Sequence, residues 1–207
     1  MTQELKNYDR AYFDRWYRNP ETRVKSAAGI KRKAALALSV AEYYLERPVR
    51  SVLDVGCGEG NWLPALRSLR PAIHYTGIDA SSYAVERYGK KRRIRLGSFA
   101  TLEQCNLRES YDLVICSDTL FYLSLEELML GLASLAPRSG GIAFLELYTG
   151  EDSVVGDFPG EGLQSSAFYK KLLSHFGFLS VGSHCYLGPE LADHAMEMEG
   201  IRLEDRR

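Results

Sequence analysis

Residues 52–62 read VLDVGCGEGNW: a short apolar run of the kind that forms a buried strand, then glycine at 56, 58 and 60. Glycine inside a strand or helix costs about 0.5–1 kcal/mol relative to alanine, so this spacing needs a physical reason. A tight turn is one. The other is a ligand large enough that side chains at these positions would stand in its way. The residues around the turn decide between them.

Beyond the turn, strand and helix signatures alternate. SVLDVG is followed by NWLPALRSL, a helix with Pro64 in its first turn, then by the strand HYTGIDA and the short helix SSYAVERYG, opened by a serine. RIRLGSF and YDLVICSDTL read as a third and a fourth strand. SLEELMLGLASLAP reads as a helix with an acidic first turn, GIAFLELYT as a fifth strand and SSAFYKKLLSHFG as a helix. FLSVGSHCYLG reads as a final antiparallel pair or a single strand. Strands alternating with helices predict an α/β fold, doubly wound around a mostly parallel sheet.

Two helices precede this pattern. YDRAYFDRWYRNP spaces Tyr8, Tyr12, Phe13 and Trp16 at helical intervals and ends before Pro20, and AAGIKRKAALALSVAEYYLERP stops near Pro48. A chain of 207 residues, 45% hydrophobic, suffices for one α/β core and is short for two. The expectation is therefore one domain over 1–207, helical over 1–48 and α/β over 49–207. One long irregular stretch, GEDSVVGDFPGEGLQ at 150–164, has the length of a lid or substrate loop.

Composition narrows the function classes. No run approaches the roughly 18 consecutive apolar residues of a membrane span, and MTQELKNYDR lacks the basic-then-apolar layout of a signal peptide, so a cytoplasmic location is expected and no membrane partner. Cys57, Cys105, Cys116 and Cys185 form no C-x-x-C pair and have no histidine at ligand spacing, which suggests neither a metal site nor a disulfide framework. Net charge is −1, yet 19 of the 26 Lys+Arg fall in residues 1–100. The densest basic stretch, RYGKKRRIRLG at 87–97, reads as a solvated helix end, with nucleic-acid contact as the rival.

In doubly wound sheets ligands bind beyond the carboxyl ends of the strands, and the first strand carries the nucleotide fingerprint. A dinucleotide site has G-x-G-x-x-G with pyrophosphate on the helix N-terminus. Here the spacing is G-x-G-x-G, with Asp54 before it and Glu59 inside it; these carboxylates would repel a pyrophosphate. The next strand ends in GIDAS, which puts Asp79 where a carboxylate accepts from both hydroxyls of a ribose. The ligand reads as a nucleoside with a cationic or zwitterionic tail.

The successive segments VLDVGCGEG, GIDAS, YDLVICSDTLFYL and LAPRSGGIAFLEL, over about residues 50 to 150, resemble the motifs of the class I S-adenosylmethionine-dependent methyltransferases. The resemblance implies a Rossmann-like, seven-stranded methyltransferase fold with the N-terminal helices as a lid, S-adenosylmethionine as cofactor and S-adenosylhomocysteine as product. It implies that the backbone of Gly56, Cys57 and Gly58 packs on the methionyl part, that Asp54 orients the turn, that Asp79 holds the ribose, and that Ala80 lies by the adenine. Family members often carry an acid after the third strand; GSFATL offers Ser98 and Phe99 instead, the latter shielding the base or belonging to the core. Tyr12 and Trp16 would cover the cofactor from the lid, or simply pack. WYRNPETR followed by a helix is also loosely similar to nodulation-type N-methyltransferases.

The fourth strand ends in Ser117-Asp118-Thr119-Leu120, without the N-P-P-Y type signature of DNA or glutamine amino methyltransferases, so the resemblance favours a small-molecule acceptor. Ser117 would lie on the cofactor side. Tyr122 stands where many small-molecule members have a histidine and is a candidate contact to the acceptor; Asp118 would orient an amine or cap the next helix. Methyl transfer from a sulfonium is an in-line displacement that alignment and exclusion of water accelerate, and a base is needed only for a protonated acceptor. An RNA-modifying methyltransferase and a non-catalytic cofactor-binding protein of the same fold are the alternatives.

Overall fold

The central strands bury both faces, and this sets the layers. In the computed structural model, which describes residues 8–19, 21–22, 26–153 and 163–200, strands β1 (Ser51–Val55) and β4 (Tyr111–Ser117) are buried throughout, and β5 (Ser139–Glu146) nearly so. Side chains alternate across a strand. Leu53, Val55, Val114, Cys116, Ala143 and Leu145 enter one core, while Val52, Leu113, Ile115, Ile142 and Phe144 enter the other. The first core is covered by α5 (Leu125–Leu135), α6 (Ser166–His175) and a 3₁₀ segment (Phe99–Gln104); the second by α2 (Ala27–Leu45) and α3 (Trp62–Leu69).

The remaining strands are β2 (His74–Asp79), β3 (Ile94–Leu96), β6 (Leu179–Gly182) and β7 (Cys185–Leu187), and the seven-stranded sheet runs β3-β2-β1-β4-β5-β7-β6. Strands β1 to β5 pair in parallel; β7 lies antiparallel to both β5 and β6. The final segment is thus the antiparallel pair, and the fold is the doubly wound α/β fold expected. The strand order reverses between β1 and β4, which opens a crevice at their carboxyl ends.

Serine side chains start the helices by accepting from an exposed backbone N–H: Ser26 from Gly29 (3.0 Å), Ser81 from Ala84 (3.1 Å) at the head of α4 (Ser82–Arg92), and Ser165 from Phe168 (3.1 Å). Each such cap is worth about 0.5–2 kcal/mol. At the opposite edge of the sheet Asp112 accepts from the backbone N–H of Arg50 (2.6 Å) and Ser51 (3.0 Å) and from the Arg47 guanidinium (2.7 Å), tying the α2–β1 connection to β4. Those donors hold its carboxyl below the ordinary range against the opposing effect of burial.

Two local expectations change. The first helix is a single α-turn, α1 (Arg10–Phe13), continued by a π-helical turn (Asp14–Arg18) in which Asn19 N–H donates to the Asp14 carbonyl at 3.1 Å. Tyr17 lies beside buried Phe13, four residues earlier, with ring centroids 4.8 Å apart. The third strand stops at Leu96 because Ser98 N–H and side chain engage Thr101 and start the 3₁₀ segment. The irregular stretch after β5 is closed at its base by Gly150 N–H on the Gln164 carbonyl (2.9 Å), while 154–162 lie outside the described residues. The C-terminal segment forms α7 (Pro189–Ala192) and turns as far as residue 200. Among the described residues no helix is long and apolar enough to cross a membrane.

Candidate active site at the carboxyl edge of the sheet

The glycine turn leaves β1 and folds onto the end of β2: Gly56 and Cys57 N–H groups donate to the Ile78 carbonyl at 2.9 and 3.1 Å. Gly56 (φ 68°) and Gly58 (φ 54°) have left-handed backbones, which side chains disfavour by about 1–2 kcal/mol. Space forbids a side chain as well. A Cβ on Gly56 would collide with the Thr119 hydroxyl, and one on Gly58 with the Tyr17 hydroxyl. The turn is therefore free of side chains of its own where Thr119 and Tyr17 lie against it, and Gly58 is buried beneath Tyr17.

Asp79, at the end of β2, accepts from Gly58 N–H (2.6 Å) and Ser81 N–H (2.9 Å). Burial raises its pKa, and the two backbone donors oppose that shift. Asp54 is buried on the α2–α3 side, where it accepts from the Tyr75 hydroxyl at 2.6 Å. Cys57 is buried in the turn, and burial, then Asp54 and Asp79, push its thiol well up, so it is held as a neutral thiol. Ala80 is exposed at the end of β2; Ser98 is bonded to Thr101.

The N-terminal segment roofs this turn. Ser81 donates to the Tyr8 carbonyl (2.5 Å), Phe13 stacks on Tyr83 (centroids 5.6 Å apart), and Arg18 pairs with buried Glu59 of the glycine turn and donates to Tyr88 (3.1 Å). Between these ties Tyr17 sits on Gly58; burial, then the Asp79 carboxylate, push its phenol well above the ordinary value. Tyr12 packs edge-on against Tyr8 and Phe13, and half-buried Trp16 lies under the Arg15 guanidinium at 4.9 Å.

Across the crevice, β4 and β5 supply a polar cluster. Ser117 donates to Glu146 at 2.6 Å, and Lys33 of α2 pairs with the other oxygen of that carboxylate at 2.5 Å. Asp118 takes a left-handed backbone (φ 58°) and donates its N–H to the Glu146 carbonyl (2.8 Å). Such strain in a non-glycine residue concentrates at functional sites. Burial, then Asp118, Glu146 and Asp152, push the Tyr148 phenol up to about 12. Tyr122 is half-buried in a 3₁₀ turn (Leu120–Tyr122), its ring 4.3 Å from that of Phe121.

A model of the family described as "Methyltransferase domain" matches residues 26–190. The chain belongs to this methyltransferase family. By family and fold it is a class I S-adenosylmethionine-dependent methyltransferase. No curated protein sequence matches it. Among solved structures, DesVI of Streptomyces venezuelae is similar at 18% identity and TM-score 0.57, over 74% of this chain and 84% of that one. A SAM-dependent methyltransferase from Archaeoglobus fulgidus is 16% identical with TM-score 0.57, over 81% and 73% of the two chains. The plantazolicin methyltransferase BpumL, in complex with a triazolic desmethylPZN analog and SAH, is 19% identical with TM-score 0.53, over 80% and 72%. At these identities the likeness is one of fold.

In this methyltransferase the structure gathers Asp54, Gly56, Cys57, Gly58 and Asp79 around one turn, and Ser117 and Asp118 across the crevice from it. Phe99 packs into the first core against Gly131 and is 3% exposed, so it takes the second of its two alternatives. The sequence reading missed Tyr17, Thr119, Lys33, Glu146 and Tyr148. Only Glu146 and Tyr148 carried a signal: polar side chains in FLELYT, at the carboxyl end of the fifth strand, where an α/β sheet places its ligands.

Proposed function

We propose that this methyltransferase transfers a methyl group from S-adenosylmethionine to a nitrogen or oxygen of a small-molecule acceptor, in the cytoplasm. One observation carries the cofactor assignment. The turn at Gly56 and Gly58, which carries no side chains and has Thr119 and Tyr17 lying on it, is bonded through Gly58 N–H to Asp79 at 2.6 Å, joining a backbone that a methionyl group could approach to a carboxylate for a ribose. When bound, the cofactor supplies an electrophilic methyl on a sulfonium. Gly56 and Gly58 would receive its amino-acid part, Asp79 would accept from its ribose hydroxyls, and Asp54, held by Tyr75, would fix the turn.

The acceptor side follows from electrostatics. Burial, then the Asp118 and Glu146 carboxylates at the strand ends, raises the Tyr148 phenol to about 12. Like any phenol, Tyr148 is protonated near neutral pH and would serve to orient an acceptor lone pair. A proton released by the acceptor would go to a carboxylate or to water. Tyr122 and the N-terminal segment would exclude water. Free cysteines fit a reducing compartment.

The experiment is calorimetric titration with S-adenosylmethionine, S-adenosylhomocysteine and NAD in parallel, followed by methyl transfer to panels of small amines, phenols and RNA. Micromolar binding of the first two, and transfer to a small molecule, are expected. NAD binding, or no binding, overturns the cofactor; transfer confined to RNA overturns the acceptor class.

A further inference from the structure

At the amino ends of β2, β3 and β4, on the edge of the sheet opposite the crevice, lies a cavity of about 480 Å³. His74, Arg93, Arg95, Asn106 and Arg108 line it together with Tyr111, and no carboxylate is among its lining residues. Among the described residues none of the three arginines has an ion-pair partner; Arg95 donates to the Asn106 carbonyl at 2.6 Å. Three exposed arginines lining one concavity without acids suit it to an anion.

Arg93 enters this lining through a sharp turn of the backbone. It ends α4 in a left-handed conformation (φ 56°, ψ 44°), its N–H on the Gly89 carbonyl, at the position where helices usually place glycine. The turn there carries the chain from α4 into the lining of the cavity at Arg93. The basic stretch 87–97 is moreover divided by the fold. Arg92 turns to the glycine turn, donating to the Glu59 carbonyl (2.5 Å) and Asn61 (2.8 Å), and Arg87 donates to Tyr88 (3.2 Å). Nucleic-acid strands track a continuous basic groove, whereas this volume falls among small-molecule pockets of about 300–1,000 Å³.

We propose that this cavity binds the phosphate of a small phosphorylated molecule, at a site separate from the methyl-transfer crevice. Calorimetry of the full chain with pyrophosphate, AMP and a short single-stranded RNA tests this, on the wild type and on the Arg95→Ala/Arg108→Ala variant. S-adenosylhomocysteine serves as the fold control. Expected are saturable binding of pyrophosphate or AMP with Kd at or below about 1 mM, a loss of about tenfold or more in the variant, and no competition with S-adenosylhomocysteine. Should the variant misfold, Arg108→Gln alone reads the same loss. The proposal is overturned if neither phosphate compound binds, if binding survives both substitutions, if S-adenosylhomocysteine displaces it, or if only RNA binds.

Discussion

Replacing Asp79 by asparagine separates two roles of one carboxylate. Its oxygens accept from Gly58 N–H (2.6 Å) and Ser81 N–H (2.9 Å), and the same group is the proposed ribose acceptor. An amide keeps one acceptor oxygen and turns an NH₂ toward the other backbone donor. Leaving that donor unsatisfied costs about 1–3 kcal/mol. Opposing this, the substitution removes a charge whose burial raises the pKa of the group. The net effect on stability is then about 1 kcal/mol, a Tm shift of about 2–4 °C in a chain of this size. Binding has no such offset. Loss of charge-assisted bonds to the ribose costs about 1.5–3 kcal/mol, so the Kd for S-adenosylhomocysteine should rise about 10- to 150-fold. The pH dependence adds a signature. With the native pKa above the unfolded one, the folded state binds more protons in the window between them, so the wild type loses this contribution as pH rises through the window. The asparagine variant lacks that slope. Calorimetry and thermal unfolding across mildly acid to neutral pH measure both effects. Affinity within about twofold of wild type, in a variant that unfolds normally, would refute the ribose assignment.

Gly58→Ala should destabilise the fold by about 1–2 kcal/mol through its left-handed backbone alone, readable in urea unfolding. It should also weaken S-adenosylhomocysteine binding because the new methyl occupies the place of the Tyr17 hydroxyl. Arg18→Gln removes the partner of Glu59, whose side chain is only 8% exposed, and should weaken cofactor affinity about fivefold, or about 1 kcal/mol, while kcat changes little. Equal affinity in both proteins would show that the N-terminal segment takes no part in retaining the cofactor. Asp112→Asn should cost about 1–3 kcal/mol at neutral pH by disturbing the donors from Arg47, Arg50 and Ser51. Because this carboxyl is depressed in the folded state, the wild type keeps its contribution above about pH 4 and loses it as pH falls further, so the two proteins should converge in acid unfolding curves.

What was legible in the sequence is what the backbone dictates locally. The alternation of strands and helices, the glycine turn and Asp79 at a strand end each follow from a few consecutive residues, and each lies where the sheet topology needs it. Tyr17 was hidden because nothing local sets it apart from the other aromatics of its segment; its place on Gly58 exists only once the N-terminal segment folds over the glycine turn. Lys33, Ser117 and Glu146 come from three separate segments that meet only when β4 and β5 pair with Ser117 opposite Glu146 and α2 crosses their ends. No local pattern contains that register.

The basic stretch shows the same limit from the other side. As a string, residues 87–97 hold six cations that invite a single reading, whether solvated face or nucleic-acid contact. The left-handed turn at Arg93 breaks that unity: Arg92 reaches the glycine turn at the carboxyl edge of the sheet, while Arg93 and Arg95 line the cavity at its amino edge. Charge density along a chain therefore says little about charge density in space where a helix hands over to a strand. One backbone torsion decides which edge of the sheet each cation serves.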